Sequence, residues 1–301
     1  PSLAIDLSER TTLLLEGEAY QSDGIPDSGL PRDAEGDLLD GVDPESFLGN
    51  PGDELELEQY QFRAELAQEI NRDWTVRLAV RALDDQEIRG VTQPELILPD
   101  GVSAERFYTR EEFGVTDYRG QLEFLGNVTT GPLDHQLIFG LEGGRREIDV
   151  FFGGVAADPI NVFDPEREEP GTPGPLSFVF RSENQRHFVG AFAQDQISLG
   201  EKWDFVVGLR YDYLEEETAD GVPDPQPQPD QVDHGLSPNV GVVFRPVPEV
   251  ALYATWSRSF QPINGVPVDE NGDVLDPEIA TLYETGIKCQ PFGERLTATG
   301  A

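Results

Sequence analysis

A period of two runs through this chain. Trp74, Val76, Leu78 and Val80 alternate with Thr75, Arg77, Ala79 and Arg81. Tyr118, Leu122, Phe124 and Val128 alternate with Arg119, Gln121, Glu123 and Asn127. Trp203, Phe205, Val207, Leu209, Tyr211 and Tyr213 alternate with Asp204, Gly208, Arg210 and Asp212, and Leu252, Ala254 and Trp256 with Tyr253, Thr255 and Ser257. A helix would scatter Trp203, Phe205 and Val207 around its axis, whereas a strand lines them on one face. Helical signals are nearly absent.

The connections come in two sizes that take turns. Short ones fall near Ser8–Thr11, Asn71–Asp73, Thr129–Pro132, Gly200–Lys202, Pro246–Glu249 and Pro291–Glu294. Long ones, rich in Pro, Gly and Asp, fall near Gly24–Asp53, Asp85–Glu112, Gly153–Pro175, Glu215–Asp233 and Gln261–Ile279. The rhythm predicts about twelve strands, most of ~9–12 residues, the length a tilted strand needs to cross a bilayer. Short turns on one side and long loops on the other is how outer-membrane barrels are built. The fold expected is therefore all-β, an antiparallel transmembrane β-barrel segment with short periplasmic turns and long extracellular loops. A soluble β-sandwich or propeller is the alternative, since it also alternates apolar and polar residues.

No apolar run approaches the ~20 residues of a spanning helix, which leaves a soluble chain or a closed barrel. The polar faces carry Glu16, Glu18, Arg63, Glu65, Arg77, Arg81, Arg119, Glu123 and Arg210, which suits a wet barrel interior or the solvated face of a sandwich. Tyr20, Tyr60, Trp74, Trp203, Tyr211, Tyr213 and Trp256 stand near strand ends, where two interfacial girdles would lie.

Charge excludes some partners. Asp plus Glu number 58 against 21 Lys plus Arg, a formal net charge of -37. Binding a nucleic acid needs cations that displace its counterions, so no nucleic-acid partner is expected. The single cysteine, Cys289, permits neither an intrachain disulfide nor a cysteine-based metal site. His135, His187 and His234 fall on different hairpins, so no catalytic constellation is expected and the chain reads as a non-enzyme. Asp269–Asp273 begins like a calcium loop, but the twelfth position is Ala280 where a Glu is needed, so it reads as an Asn-Gly turn.

Four stretches carry a family resemblance. Phe188-Val-Gly-Ala-Phe-Ala-Gln-Asp-Gln-Ile197 leads into Trp203-Asp-Phe-Val-Val-Gly-Leu-Arg-Tyr-Asp212. Leu252-Tyr-Ala-Thr-Trp-Ser-Arg-Ser-Phe-Gln-Pro262 is followed by Asp276-Pro-Glu278 and Tyr283-Glu-Thr-Gly-Ile-Lys288. His135-Gln-Leu-Ile-Phe-Gly-Leu141 and Ile160-Asn-Val-Phe-Asp-Pro165 complete the set. In order and hairpin spacing these resemble the TonB-dependent siderophore receptors of the ferrichrome-receptor type.

The resemblance implies a 22-strand barrel, of which residues 1–301 would be an internal part, with the plug domain and the C-terminal strands elsewhere. It implies a receptor of the Gram-negative outer membrane, importing a ferric siderophore with energy from the TonB complex. The partners are then the ferric siderophore, TonB, and outer-membrane lipid and lipopolysaccharide. No cofactor would be bound by the protein itself, since the siderophore carries the iron. Candidate ligand contacts are the aromatics read as loop residues: Phe107, Tyr108, Phe113, Phe163 and Phe260. The first long loop has Ile25, Leu30 and Phe47 where some hydroxamate receptors place an aromatic cluster. Alternatives are another cargo (haem, cobalamin, an oligosaccharide) or a passive porin-like barrel. Strongly acidic loops would favour neutral or cationic chelates over anionic ones.

Overall fold

A computed structural model describes residues 1–32, 39–165, 174–263, 275–290 and 296–301. The calcium-like stretch Asp269–Asp273 and the turn Pro291–Glu294 lie outside them. The described residues form one antiparallel sheet. Its strands are β1 (Ser2–Ser8), β2 (Thr11–Gly24), β3 (Glu54–Glu69), β4 (Trp74–Ile97), β5 (Ser103–Thr130), β6 (Leu133–Asn161), β7 (Phe178–Leu199) and β8 (Trp203–Gly221). There follow a two-residue β9 (Gln226–Pro227), then β10 (Gln231–Val247), β11 (Val250–Gln261), β12 (Glu278–Cys289) and β13 (Ala298–Gly300). Each strand pairs with its neighbours in chain order, except that β10 bypasses β9 to join β8. Within these residues β1 and β13 are the two edges, so the sheet is open.

Register assigns the two faces. Directly opposed residues share a face, and the β3–β4–β5 ladders run without a shift from Trp74 to Pro94. One face carries Leu78, Val80, Leu141, Val189, Val207, Leu209 and Val240, all exposed. Aromatics close that apolar band at both ends. At the short-turn end Trp74, Phe124 and Phe139 meet, with centroids 6.1 and 5.1 Å apart, and Trp203 stacks on Phe244 at 4.3 Å. At the other end stand Phe62, Tyr118, Tyr211 and Tyr213. From Trp203 to Tyr213 is the span a tilted strand uses to cross the hydrocarbon, about 9–11 residues. The apolar face therefore meets lipid and the charged face lines the interior. Tyr20 departs from the expected girdle: it pairs with Gln59 in the same parity as Glu16–Arg63 and so lies on the charged face.

The strands are longer than the sequence rhythm predicted. β5 has 28 residues and β6 has 29. Most of the segment read as a loop at Asp85–Glu112 is a continuation of β4 and β5, closed by a tight turn at 98–102. The ends of β6 and β8 likewise extend into the predicted loops Gly153–Pro175 and Glu215–Asp233. Above the membrane both faces meet water, so alternation fades while the hydrogen-bond ladder continues. At the turn, Asp100 accepts the amides of Val102 and Ser103 at 3.0 and 2.9 Å, and Gly101 takes φ +74°. Bonds from the Ser103 side chain and these amides hold the Asp100 carboxyl below its ordinary value.

The first long connection, 25–53, is anchored. Leu48, Ala104, Ile160 and Val162 form a buried cluster with Leu30, Leu39, Val42 and Ile97 around it. Where β3 leaves β4, Asp53 replaces it: the carboxylate accepts Thr92 N at 2.9 Å, Thr92 Oγ1 at 2.8 Å and Asn50 N at 2.9 Å. Asp53 is 4% exposed. Replacing Asp53 with Ala leaves these buried donors without an acceptor, a cost of about 1–3 kcal/mol. Limited proteolysis should then cut the 25–53 loop faster, while the heat-modifiable mobility of the full-length barrel stays unchanged.

Candidate functional site

The interior face is a ladder of charges. Arg63 meets Glu65 at 2.6 Å and Glu16 at 3.5 Å, and Arg77 bridges Glu65 at 3.2 Å and Glu123 at 3.1 Å. Further along, Arg119 meets Asp117 at 2.7 Å, while Arg210 joins Glu142 at 3.0 Å and Asp212 at 2.7 Å. Arg119 also lies over the Phe188 ring at 5.4 Å, and Arg210 over Phe192 at 6.0 Å. The arginines stay partly exposed while most of their carboxylates, Asp117 above all, do not, so the ladder both sets the potential of the interior and satisfies these carboxylates. The sequence placed Glu16, Arg63, Glu65, Arg77, Arg119, Glu123 and Arg210 on this face, because parity alone decides it; Asp117 and Glu142 were not singled out.

An aromatic patch stands above the ladder on the same face. Phe107 stacks on Phe178 at 6.2 Å with the planes 16° apart, and Phe152 approaches Phe178 at 5.6 Å. Phe152 is directly opposite Phe180, and Phe113 is opposite Val150 one step nearer the membrane. Gly154 makes the stack fit: a Cβ there would come 2.4 Å from Phe107. Phe113, Phe178 and Phe180 are exposed. The result is an apolar, π-rich wall at the wide end of the charged interior, able to pack against the flat faces of an organic ligand.

The five residues singled out in the sequence part company. Phe107 and Phe113 belong to the patch, but they sit on β5 and not on a loop. Tyr108, also on β5, is buried on the opposite face and lies against Gly90, whose Cβ would be 2.6 Å from its hydroxyl. Phe260 is on β11, its ring over Gly235, where a Cβ would come within 2.3 Å. Phe163 alone is in a connection, exposed beyond the end of β6. Sequence reasoning missed Phe152, Phe178 and Phe180; the signal was the Phe178-Val-Phe180 alternation that opens β7.

The histidines also differ from expectation in one respect. His135 Nδ1 lies 2.8 Å from Asp195, and its Nε2 lies 2.7 Å from Thr130 Oγ1. The connectivity is that of a nucleophile, base and orienter, though the three stand at the short-turn end on the lipid-facing parity. There the ring supplies a partner for a carboxylate in an apolar row. The contact joins two of the motif stretches, whose residues are 60 positions apart.

Comparison with known proteins agrees with this architecture. The model of the TonB dependent receptor-like β-barrel family matches residues 2–301. The metal-pseudopaline receptor CntO of Pseudomonas aeruginosa is 30% identical over 311 residues, covering 99% of this chain and 43% of the receptor. The ferrioxamine B receptor of Salmonella typhimurium is 29% identical over 170 residues, 56% of this chain and 23% of its own length. The crystal structure of the siderophore receptor PiuA from Acinetobacter baumannii superposes with a TM-score of 0.82 at 19% identity, over 99% of this chain and 48% of that one. This chain thus spans less than half the length of each of these relatives. It belongs to the TonB-dependent receptor β-barrel family, and its place is the bacterial outer membrane.

Proposed function

We propose that the protein containing this chain captures a ferric siderophore at the extracellular mouth of its barrel and imports it with energy delivered by TonB. The observation that carries this reading is the interior-facing patch of Phe107, Phe113, Phe152, Phe178 and Phe180 above a charged, wet wall. Such a wall binds a bulky organic chelate by stacking and apolar contact, and leaves its metal wrapped by its own ligands. The role is transport and not catalysis, and no resident cofactor is needed because the cargo brings its metal. The names of the relatives, receptors for metal-pseudopaline, ferrioxamine B and ferric pyoverdine, point the same way. Lipid and lipopolysaccharide meet the apolar face and its girdles. A second reading, a chelate of a metal other than iron, is favoured by one of these names, which specifies metal and not iron.

The test is uptake of radiolabelled iron and zinc chelates by cells whose only such receptor is the full-length protein. TonB-dependent uptake of a ferric siderophore is expected, and a double change of Phe107 and Phe178 to Ala should weaken binding about 10- to 100-fold. Uptake that persists without TonB would instead indicate a passive pore.

A further inference from the structure

Arg146 stands out on the interior wall because, among the described residues, no carboxylate pairs with it and its Nε is buried without an acceptor. It lies on β6 between two residues that have already chosen partners. On one side, across β5, is Asp117, whose two oxygens are held by Arg119 at 2.7 and 3.0 Å. On the other, across β7, is a second arginine, Arg186, whose Nε donates to Glu216 at 2.6 Å. Among the described residues no carboxylate stands within ion-pair distance of Arg146, and its Nε is buried without an acceptor. A guanidinium does not shed its proton, so it cannot relieve this state as a lysine would. A buried donor left unmade is costly, and a charged one more so.

Its height matters equally. On the lipid-facing parity its chain neighbour Arg145 is level with Tyr118 and His187, at the extracellular end of the apolar band. Arg146 is therefore at the floor of the mouth. Val150, opposite Phe113, is four residues higher on the same face, about 13 Å along the strand. Phe113 is the lowest ring of the patch and the one near enough for a chelate to touch it and this guanidinium together; the Phe107–Phe152–Phe178 stack begins six residues above Arg146.

We infer that Arg146 is the anion anchor of the cargo site, donating to a carboxylate carried by the chelate. The inference rests on the import reading above and adds the chemical class of the cargo: a carboxylate-bearing metal chelate. Arginine suits this task, since its planar fork pairs with both carboxylate oxygens. The acidic outer loops and this inward cation are compatible: repulsion acts at long range on net charge, and the anchor acts at contact on one group.

The experiment uses the full-length receptor, purified in detergent, and its Arg146→Gln and Arg146→Lys variants. The probes are two carboxylate chelates, ferric citrate and ferric EDTA, and the carboxylate-free ferrioxamine B. At least one carboxylate chelate should bind the wild type. Arg146→Gln should weaken it about 10- to 100-fold, Arg146→Lys less, and ferrioxamine B affinity should change under about twofold in both. Three results overturn the inference: no carboxylate probe binds the wild type, binding is unchanged in Arg146→Gln, or all probes weaken together with a fall in heat-modifiable barrel. The last would mean that Arg146 pairs with another part of the receptor itself. The import reading fails separately, if cells carrying the wild type take up no metal chelate of any class.

Discussion

Leu209→Arg in the full-length protein should sharply reduce the amount of folded receptor in the outer membrane, whereas Gln196→Arg should leave it near the wild-type level. Leu209 is on the apolar row of β8, midway between the Trp203 and Tyr213 girdles, and is 51% exposed. An arginine there would face the bilayer midplane, which costs about 2–4 kcal/mol in a transmembrane barrel. Gln196, directly opposite Val206, is on the interior parity within the same band, three residues nearer the Trp203 girdle than Leu209, where a cation meets water and nearby carboxylates. Urea titration in lipid vesicles measures the first effect, and heat-modifiable gel mobility compares the two. Equal behaviour of the two variants would mean that the faces have been assigned the wrong way round.

Residues 1–301 expressed alone should not form a stable barrel. The sheet ends at β1 and β13, and both edges present unpaired N–H and C=O groups. In hydrocarbon each such group costs several kcal/mol, which is why spanning sheets close. Lipid-facing rows such as Phe205, Val207 and Leu209 would also be bare in water, inviting edge-to-edge association. The expected result is protease-sensitive, aggregating material with no heat-modifiable band. A protease-resistant, heat-modifiable monomer in detergent would show that these strands close among themselves.

Much of this was legible in the chain. The charged row from Glu16 to Arg210 and the apolar row from Trp74 to Val240 follow from parity, a local property that any two neighbouring residues reveal. Four of the five short turns among the described residues fall where Gly, Pro, Asn and Asp placed them, with Gly131 and Gly200 at φ +63° and +58°; the fifth, Ser8–Thr11, has none of these. The long loops were misjudged for a physical reason. Alternation reports a difference between two environments, and above the membrane β4, β5 and β6 have water on both sides. Asp85-Gln-Glu87 and Glu111-Glu112 look like loop and are strand. Tyr20 was misplaced because nearness to a strand end was weighed without its parity.

By itself, then, the sequence determined the period, the sidedness of each strand and the alternation of turns. The motifs around Asp195, Arg210, Phe260 and Glu284 added the family. Only the tertiary structure decided which residues of different strands stand side by side. Phe107, Phe152 and Phe178 form one patch, and Arg146 falls between an aspartate held by Arg119 and another arginine, because long ladders fix the register of β5, β6 and β7. Parity is set within a strand, residue by residue; register is set by turns and bulges far along the chain, such as the shift between Ala104 and Arg106. The candidate site is a property of register, which is why its ingredients were visible in the sequence and its assembly was not.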